Sequence, residues 1–165
     1  PELDVESVPG SGPRHFEWHP SGSVLYVINE LDCTVSVYKC QDNQGLKLLQ
    51  NISTLPKGFD GIISCADIHI SLDGKFLYAS NRGHNSIVRY AVNSSDLTLS
   101  DPVHFDTLGA WTRNFAISPD QEYMFVANQD SNNIVVFKRN ISDGFISNLG
   151  VEIQIPSPVC IKFLK

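Results

Sequence analysis

The stretch DIHISLDGKFLYASN, residues 67–81, decides the fold because the chain carries it in three related copies. The other copies are HFEWHPSGSVLYVIN at 15–29 and NFAISPDQEYMFVAN at 114–128. Each joins two short apolar segments through a polar turn, such as Asp73-Gly74, and ends on an asparagine. Short segments rich in β-branched and aromatic residues, bounded by turn residues, are typical of β-strands. The repeat therefore predicts the same pair of strands three times.

Two further strands follow each copy. The predicted third strands are Thr34–Tyr38, Ser86–Tyr90 and Asn133–Phe137, and the predicted fourth strands are Leu46–Ser53, Leu97–Phe105 and Phe145–Ile155. Four strands in a repeat of about 40–50 residues are typical of a β-propeller blade. A β-sandwich also has many short strands, but it does not repeat the same sequence three times. The fold class predicted is all-β, a β-propeller of four-stranded antiparallel blades.

The repeat also sets the predicted domain organisation. Blades are expected at about 12–55, 62–106 and 110–156, with a final inner strand at 158–165, so residues 1–165 form a partial propeller. Closed propellers have about 4–8 blades. Three blades leave apolar faces uncovered at both ends, and such repeats cannot bury those faces alone. We expect further blades on the N-terminal side, from the same protein or from another copy of the chain.

Composition excludes several classes of partner. The chain has a net charge of −6, so neither a nucleic-acid nor an anionic membrane surface is expected. No apolar run approaches the ~20 residues that span a bilayer. Four cysteines without paired spacing favour free thiols in a reducing compartment, hence the cytoplasm. Asn-x-Ser triplets at Asn51, Asn93 and Asn140 would matter only in a secreted protein.

Several motifs resemble one known family. They include Gly12-Pro13-Arg14-His15, the segment 73–83, Arg113-Asn114-Phe115 and the ending 158–163. From about residue 10 to residue 165 the chain is similar to the lactonase family, the seven-bladed propeller type of 6-phosphogluconolactonase, which includes relatives that cyclise carboxymuconate. The resemblance implies a chain of roughly twice this length, of which this is the C-terminal half. It implies cofactor-independent hydrolysis of 6-phosphogluconolactone, in the pentose phosphate pathway, or of a related lactone.

Propeller topology predicts that the candidate catalytic residues lie close together. The loop entering an innermost strand and the loop between second and third strands open on the same face of the disc, where function concentrates. Arg14, Glu30 and Arg82 should therefore meet at one mouth of the channel, and the matching family positions point to the same three. Hydrolysis of a lactone requires a base that takes a proton from water and hydrogen-bond donors that stabilise the oxyanion. Glu30 is the predicted general base, with Arg14 and Arg82 holding the substrate anion and the oxyanion. The alternative for Glu30 is a salt bridge to a neighbouring arginine with no catalytic role.

Five further residues are predicted to bind substrate. The histidines lie on innermost strands, and the others lie at the same mouth: His15, His69, Arg113, Asn81 and Gln129. By strand alternation His69 shares a face with Asp67. For both histidines the sequence leaves two roles open, a lining or hydrogen-bonding role and proton transfer. No nucleotide-binding loop, serine-hydrolase elbow or metal-ligand spacing occurs, so no cofactor and no metal are expected.

Two functions remain open from the sequence. The first is hydrolysis of a small anionic sugar lactone, which the arginines and Glu30 favour. The second is a non-catalytic binding propeller, or a truncated and inactive homologue, which the missing half and the lack of a visible nucleophile favour. Propellers host many functions on one architecture, so the fold does not choose between them.

Overall fold

The computed structural model describes residues 7–41 and 45–164. Residues 1–6, 42–44 and 165, which belong to the predicted domain, lie outside the described residues. Within the described ranges there are twelve β-strands and no α-helix. The strands are β1 (Pro13–Trp18), β2 (Val24–Asn29), β3 (Thr34–Gln41), β4 (Gly45–Ser53), β5 (Cys65–Ile70), β6 (Phe76–Asn81), β7 (Ser86–Val92), β8 (Leu99–Asp106), β9 (Thr112–Ile117), β10 (Tyr123–Asn128), β11 (Asn133–Arg139) and β12 (Ile146–Gln154).

The strands form three antiparallel four-stranded sheets, each with its strands in chain order: β1–β4, β5–β8 and β9–β12. This confirms the predicted fold class. The first strands of the sheets, β1, β5 and β9, pack side by side, with β5 between the other two. Each sheet is therefore a blade, and its first strand is the innermost one. The side chains of three successive inner strands meet along the channel.

Two apolar layers join the three blades. Strand β6 shows how, because its side chains alternate between the two layers. Leu77 and Ala79 pack with Tyr26 and Val35 of the first blade. Phe76 and Tyr78 of the same strand instead pack in a cluster with Met124, Phe137 and other residues of the third blade. Because both faces are covered, the strand FLYAS reads as a continuous apolar run rather than an alternating one.

Buried tyrosines at equivalent positions also tie each blade to the next. The Tyr26 hydroxyl donates to the Leu97 carbonyl at 2.9 Å, and the Tyr78 hydroxyl donates to the Gly144 carbonyl at 2.7 Å. Gly144 has φ +72°, and a Cβ there would lie 2.6 Å from the Phe76 ring. A side chain at this position would therefore strain the backbone and push the blades apart.

The C-terminal segment departs from its predicted form. Residues 155–164 belong to no β-ladder, although the sequence predicts an inner strand at 158–165. A strand requires a hydrogen-bonded neighbour, and no described strand lies beside this segment in a ladder. Instead the Ile161 amide donates to the Asn114 Oδ1 at 2.7 Å, and the Phe163 ring packs edge-on against Phe125. The segment thus closes one side of the channel.

The two outer blades expose apolar side chains. On β1 Phe16 is 62% exposed, and on β12 Leu149, Val151 and Ile153 are each nearly half exposed. Contiguous exposed apolar surface of this kind marks an interaction surface. No helix among the described residues is long and apolar enough to cross a membrane.

Candidate active site

A cavity of about 570 Å³ lies against the three inner strands and the C-terminal segment. Each inner strand and the C-terminal segment contribute charged or polar side chains to its wall, beside apolar ones. Its lining residues include Arg14, His15, Glu17, Asp67, His69, Arg113, Asn114 and Lys162.

Arg14, Glu30 and Arg82 come together at one end of this region, as the sequence predicts. The Arg14 Nε lies 3.2 Å from the Glu30 Oε2, and the Arg82 Nη2 is bonded to the Glu30 Oε1. Arg82 is nearly buried, and its Nη2 also donates to the Ser64 hydroxyl at 2.6 Å and the Cys65 carbonyl at 3.1 Å. Three acceptors thus hold the Arg82 guanidinium at its Nη2.

The environment of Glu30 suits an ion-pair anchor better than a proton acceptor. Partial burial raises the pKa of Glu30, but the hydrogen bond from Arg82 and the charges of Arg82, Arg14 and Arg113 outweigh it, so the pKa lies below its ordinary value. Both carboxylate oxygens already carry guanidinium partners. A carboxylate held in its ionised form in this way is a weak base.

Arg113 adds a third guanidinium beside Glu30. Its Nη1 donates to the Gln129 Oε1 at 3.1 Å, so Gln129 positions Arg113. Arg113 also lines the cavity, which leaves its other donors available to a ligand. The guanidinium of Arg82 lies 5.4 Å from the centre of the Trp111 ring, a residue that sequence reasoning did not select.

A chain of carboxylates and imidazoles runs along the channel beside this cluster. His15 Nδ1 is 2.8 Å from Asp67 Oδ1, and Asp67 Oδ2 is 3.2 Å from His69 Nε2. At the other end His69 Nδ1 is 2.9 Å from Glu17 Oε1. Two histidines thus share one buried carboxylate.

The charges within this chain are well defined. Burial lowers the pKa of His69, but its hydrogen bonds to Asp67 and Glu17 outweigh burial and raise it to about 9. Burial raises the pKa of Asp67, but its bonds to His69, His15 and the Phe115 amide outweigh burial and lower it to about 2. At neutral pH His69 is therefore a cation whose two N–H groups are committed to carboxylates. Its contribution to a ligand is charge rather than a free hydrogen bond.

Arg14 connects the two groups of charges. Besides its contact with Glu30, its Nη1 donates to the Ala66 carbonyl at 2.7 Å and lies 3.2 Å from the His15 Nε2. The arginine cluster and the imidazole chain are therefore one continuous site.

Asn81, which the sequence assigns to substrate binding, does not line the cavity. Asn81 is fully buried. Its Nδ2 donates to the Thr54 carbonyl at 2.8 Å, and its Oδ1 accepts from the Thr54 hydroxyl at 2.7 Å. Asn128 binds Thr107 of the preceding blade in the same way, through its Nδ2. These amides join neighbouring blades, because a buried amide must satisfy its polar atoms locally.

Sequence reasoning missed Asp67 and Glu17 as members of the site. A usable signal exists, because Glu30 and Arg82, His15 and Asp67, and Glu17 and His69 are each 52 residues apart. That spacing equals the distance between the first two repeats. Residues at equivalent positions of the first two repeats thus touch.

The sequence matches one known protein family over almost the whole chain. The model of the family described as lactonase, seven-bladed β-propeller, matches residues 2–163. The chain belongs to this family. It is 48% identical over 153 residues to a 6-phosphogluconolactonase of Formosa agariphila, covering 92% of this chain and 43% of that protein. It is 34% identical over 157 residues to the 6-phosphogluconolactonase of Bacillus subtilis, covering 94% and 45%.

A solved structure agrees closely with the fold. The periplasmic gluconolactonase of Pseudomonas aeruginosa superposes with a TM-score of 0.92 at 34% identity, covering 98% of this chain and 45% of that one. This lactonase-family chain thus spans a little under half the length of the relatives it matches. Among the described residues no three His, Cys, Asp or Glu side chains are grouped as metal ligands.

Proposed function

We propose that the protein hydrolyses the ring of an anionic sugar lactone, with 6-phosphoglucono-1,5-lactone the leading substrate and 6-phosphogluconate the product. The chain would act within a propeller ring completed by further blades, from the same protein or from a second copy. The exposed apolar faces of the outer blades support completion of a ring. The 6-phosphogluconolactonases among the relatives support the choice of substrate.

One observation carries the proposal: the channel mouth of an acidic protein is locally cationic. Arg14, Arg82 and Arg113 all act on the single carboxylate of Glu30, in a chain whose net charge is −6. Guanidinium groups bind phosphate or carboxylate through paired hydrogen bonds and stay charged at any working pH. The excess positive charge suits the anionic part of the substrate.

The arginines take different parts in this proposal. Arg82 is nearly buried and held by Ser64 and Cys65, so it fixes Glu30, and Glu30 in turn orients Arg14. Arg14 and Arg113 face the cavity, where they hold the substrate anion and the oxyanion that forms at the lactone carbonyl. Glu30 thus acts as the counter-ion that orients Arg14 and Arg82.

A cytoplasmic location and a place in the pentose phosphate pathway belong to the proposal. All four cysteines are free, and Cys33 and Cys65 are buried. Free buried thiols fit a reducing compartment. Phosphorylated sugars are charged and do not cross a bilayer unaided, so an enzyme for them belongs in the compartment that makes them.

The test is hydrolysis of freshly prepared 6-phosphoglucono-1,5-lactone by the full-length protein, measured as acid release above the spontaneous rate. Glu30→Gln and Arg82→Ala should each lower kcat/KM by roughly 10²-fold, the cost of losing an oriented charged donor. Lys75→Ala, which removes an exposed lysine paired only with Asp73, is the matched control and should leave it unchanged.

Absence of hydrolysis above the spontaneous rate would overturn the proposal. If 6-phosphogluconate then bound saturably without turnover of the lactone, the non-catalytic binding propeller would take its place.

A further inference from the structure

His15 occupies a position in the site that the proposed chemistry has not used. It lies in β1, lines the cavity, and its side chain is 46% exposed. Its Nδ1 is held 2.8 Å from the Asp67 Oδ1, and the Asp67 side chain is only 4% exposed. An open imidazole thus rests on a buried carboxylate.

Asp67 is built to be a fixed anion. Its Oδ2 accepts hydrogen bonds from the Asn114 amide, the Phe115 backbone N–H at 3.2 Å, and His69 Nε2. Because Oδ2 carries these donors, Oδ1 is left for His15. An ionised carboxylate accepts the Nδ1–H of an imidazole, and this fixes the tautomer in which Nε2 has a lone pair.

Arg14 places one guanidinium nitrogen at similar distances from the two ring nitrogens of His15. Its Nη1 is 3.4 Å from Nδ1 and 3.2 Å from Nε2. The lone-pair directions of the two ring nitrogens diverge within the ring plane. Because Arg14 Nη1 is almost equidistant from both nitrogens, it cannot lie along the lone-pair direction of either one. The Nε2 lone pair therefore remains directed along the ring plane, beside a guanidinium that stabilises negative charge.

We propose that His15, oriented by Asp67, is the general base that activates water for lactone opening; this rests on the proposed lactonase function. The water proton passes to Nε2 as the water oxygen adds to the carbonyl carbon, forming an oxyanion beside Arg14. The imidazolium returns that proton to the ring oxygen when the ring C–O bond breaks. The hydroxy acid product then releases one proton to solvent.

Other charged or titratable groups line the cavity beside His15, from each neighbouring element. They are Arg14 and Glu17 on β1, Asp67 and His69 on β5, Arg113 on β9, and Cys160 and Lys162 on the C-terminal segment. Among them Asp67 stays ionised and His69 stays cationic through the neutral range. Glu30 is likewise ionised throughout that range, since its pKa lies below its ordinary value. A base of the imidazole type is therefore distinguishable from Glu30 by its pH dependence.

The experiment measures kcat and KM of the full-length protein on 6-phosphoglucono-1,5-lactone between pH 5.5 and 7.5. His15→Gln should lose roughly 10²-fold or more in kcat with little change in KM, the usual contribution of a general base. The pH profile of kcat/KM should differ between the wild type and His15→Gln, because the variant lacks the base. Added imidazole should partly restore His15→Ala, which also shows that this variant is folded.

Asp67→Asn tests the positioning residue. It should lower kcat while KM holds, and it should change the pH dependence, because the amide no longer fixes the tautomer. His19→Gln is the control, since His19 lies in a turn and bonds to Ser21. If the wild type hydrolyses the lactone and His15→Gln keeps kcat within about threefold, the role of His15 is refuted while the proposed function stands. If the wild type shows no hydrolysis, both fall.

Discussion

Asn81 and Arg82 are neighbours in sequence, yet they serve opposite purposes. Asn81 is buried at a junction between blades, and its side-chain amide forms hydrogen bonds with Thr54 and Ser86. Arg82 starts from the same strand end and reaches Glu30 in the channel. The same pair of positions recurs in the third blade, where Asn128 binds Thr107 and Gln129 binds Arg113. In the second and third repeats, a position that joins the blades is thus followed by one that builds the site.

The largest effect expected from separating these two roles comes from Arg14, which belongs to the site alone. Arg14→Ala should lower kcat/KM for the phosphorylated lactone by roughly 10³-fold, because it removes a donor to the oxyanion. Its removal should cost about 1 kcal/mol of folding free energy or less, since the ion pair is partly exposed. Kinetics paired with urea denaturation of the same preparation measure both quantities.

Arg14→Lys keeps the charge but not the paired donors, and it should recover only part of the activity. A stability loss in Arg14→Ala as large as its loss of activity would show that the two roles are not separate at this position.

The reverse effect is expected at Asn81, which belongs to the junction alone. Asn81→Ala removes two hydrogen bonds to buried Thr54 and one to Ser86, and it should lower the free energy of unfolding by about 1–3 kcal/mol. The kcat of the fraction that remains folded should stay near the wild-type value. Asn93→Ala, in an exposed turn, is the matched control and should cost less. An unchanged urea midpoint in Asn81→Ala would contradict the assignment of Asn81 to the junction between the blades.

A smaller effect is expected from pH, through the imidazole chain. The pKa of His69 rises from 6.5 to about 9, so its stabilising contribution is complete below pH 6.5 and is lost as the pH rises through 9. The pKa of Asp67 falls from 3.8 to about 2, so its contribution is complete above pH 3.8 and is lost as the pH falls through 2.

Urea midpoints should therefore be higher near pH 6 than near pH 9.5, and His69→Gln should reduce that difference. Equal midpoints at the two pH values in the wild type would contradict the assignment of His69 as a buried cation.

The repeat made most of the fold predictable. Turn residues between apolar segments located the strands, because local sequence sets where a strand ends. Strand ends alone did not tell that Asn81 points into a blade junction while Arg82 points to the channel, because that depends on the neighbouring blade. The sequence left a salt bridge of Glu30 open beside base chemistry, since residue types do not reveal how many guanidinium groups surround a carboxylate.

The final segment, residues 158–164, shows a different limit. Its apolar sequence resembles that of the other inner strands, but a ladder needs a partner strand, and pairing is not encoded in the segment itself. The pairing of His15 with Asp67 was within reach, because both occupy the same place in successive repeats.

The most direct test of the central claim, that the channel mouth is a cationic site for an anionic lactone, compares two substrates. The measurement is kcat/KM of the full-length protein for 6-phosphoglucono-1,5-lactone and for the unphosphorylated glucono-1,5-lactone. We predict a preference of about 10²-fold or more for the phosphorylated lactone, since hydrogen bonds to charged groups contribute about 1.5–3 kcal/mol each. Equal values for the two substrates would contradict the claim.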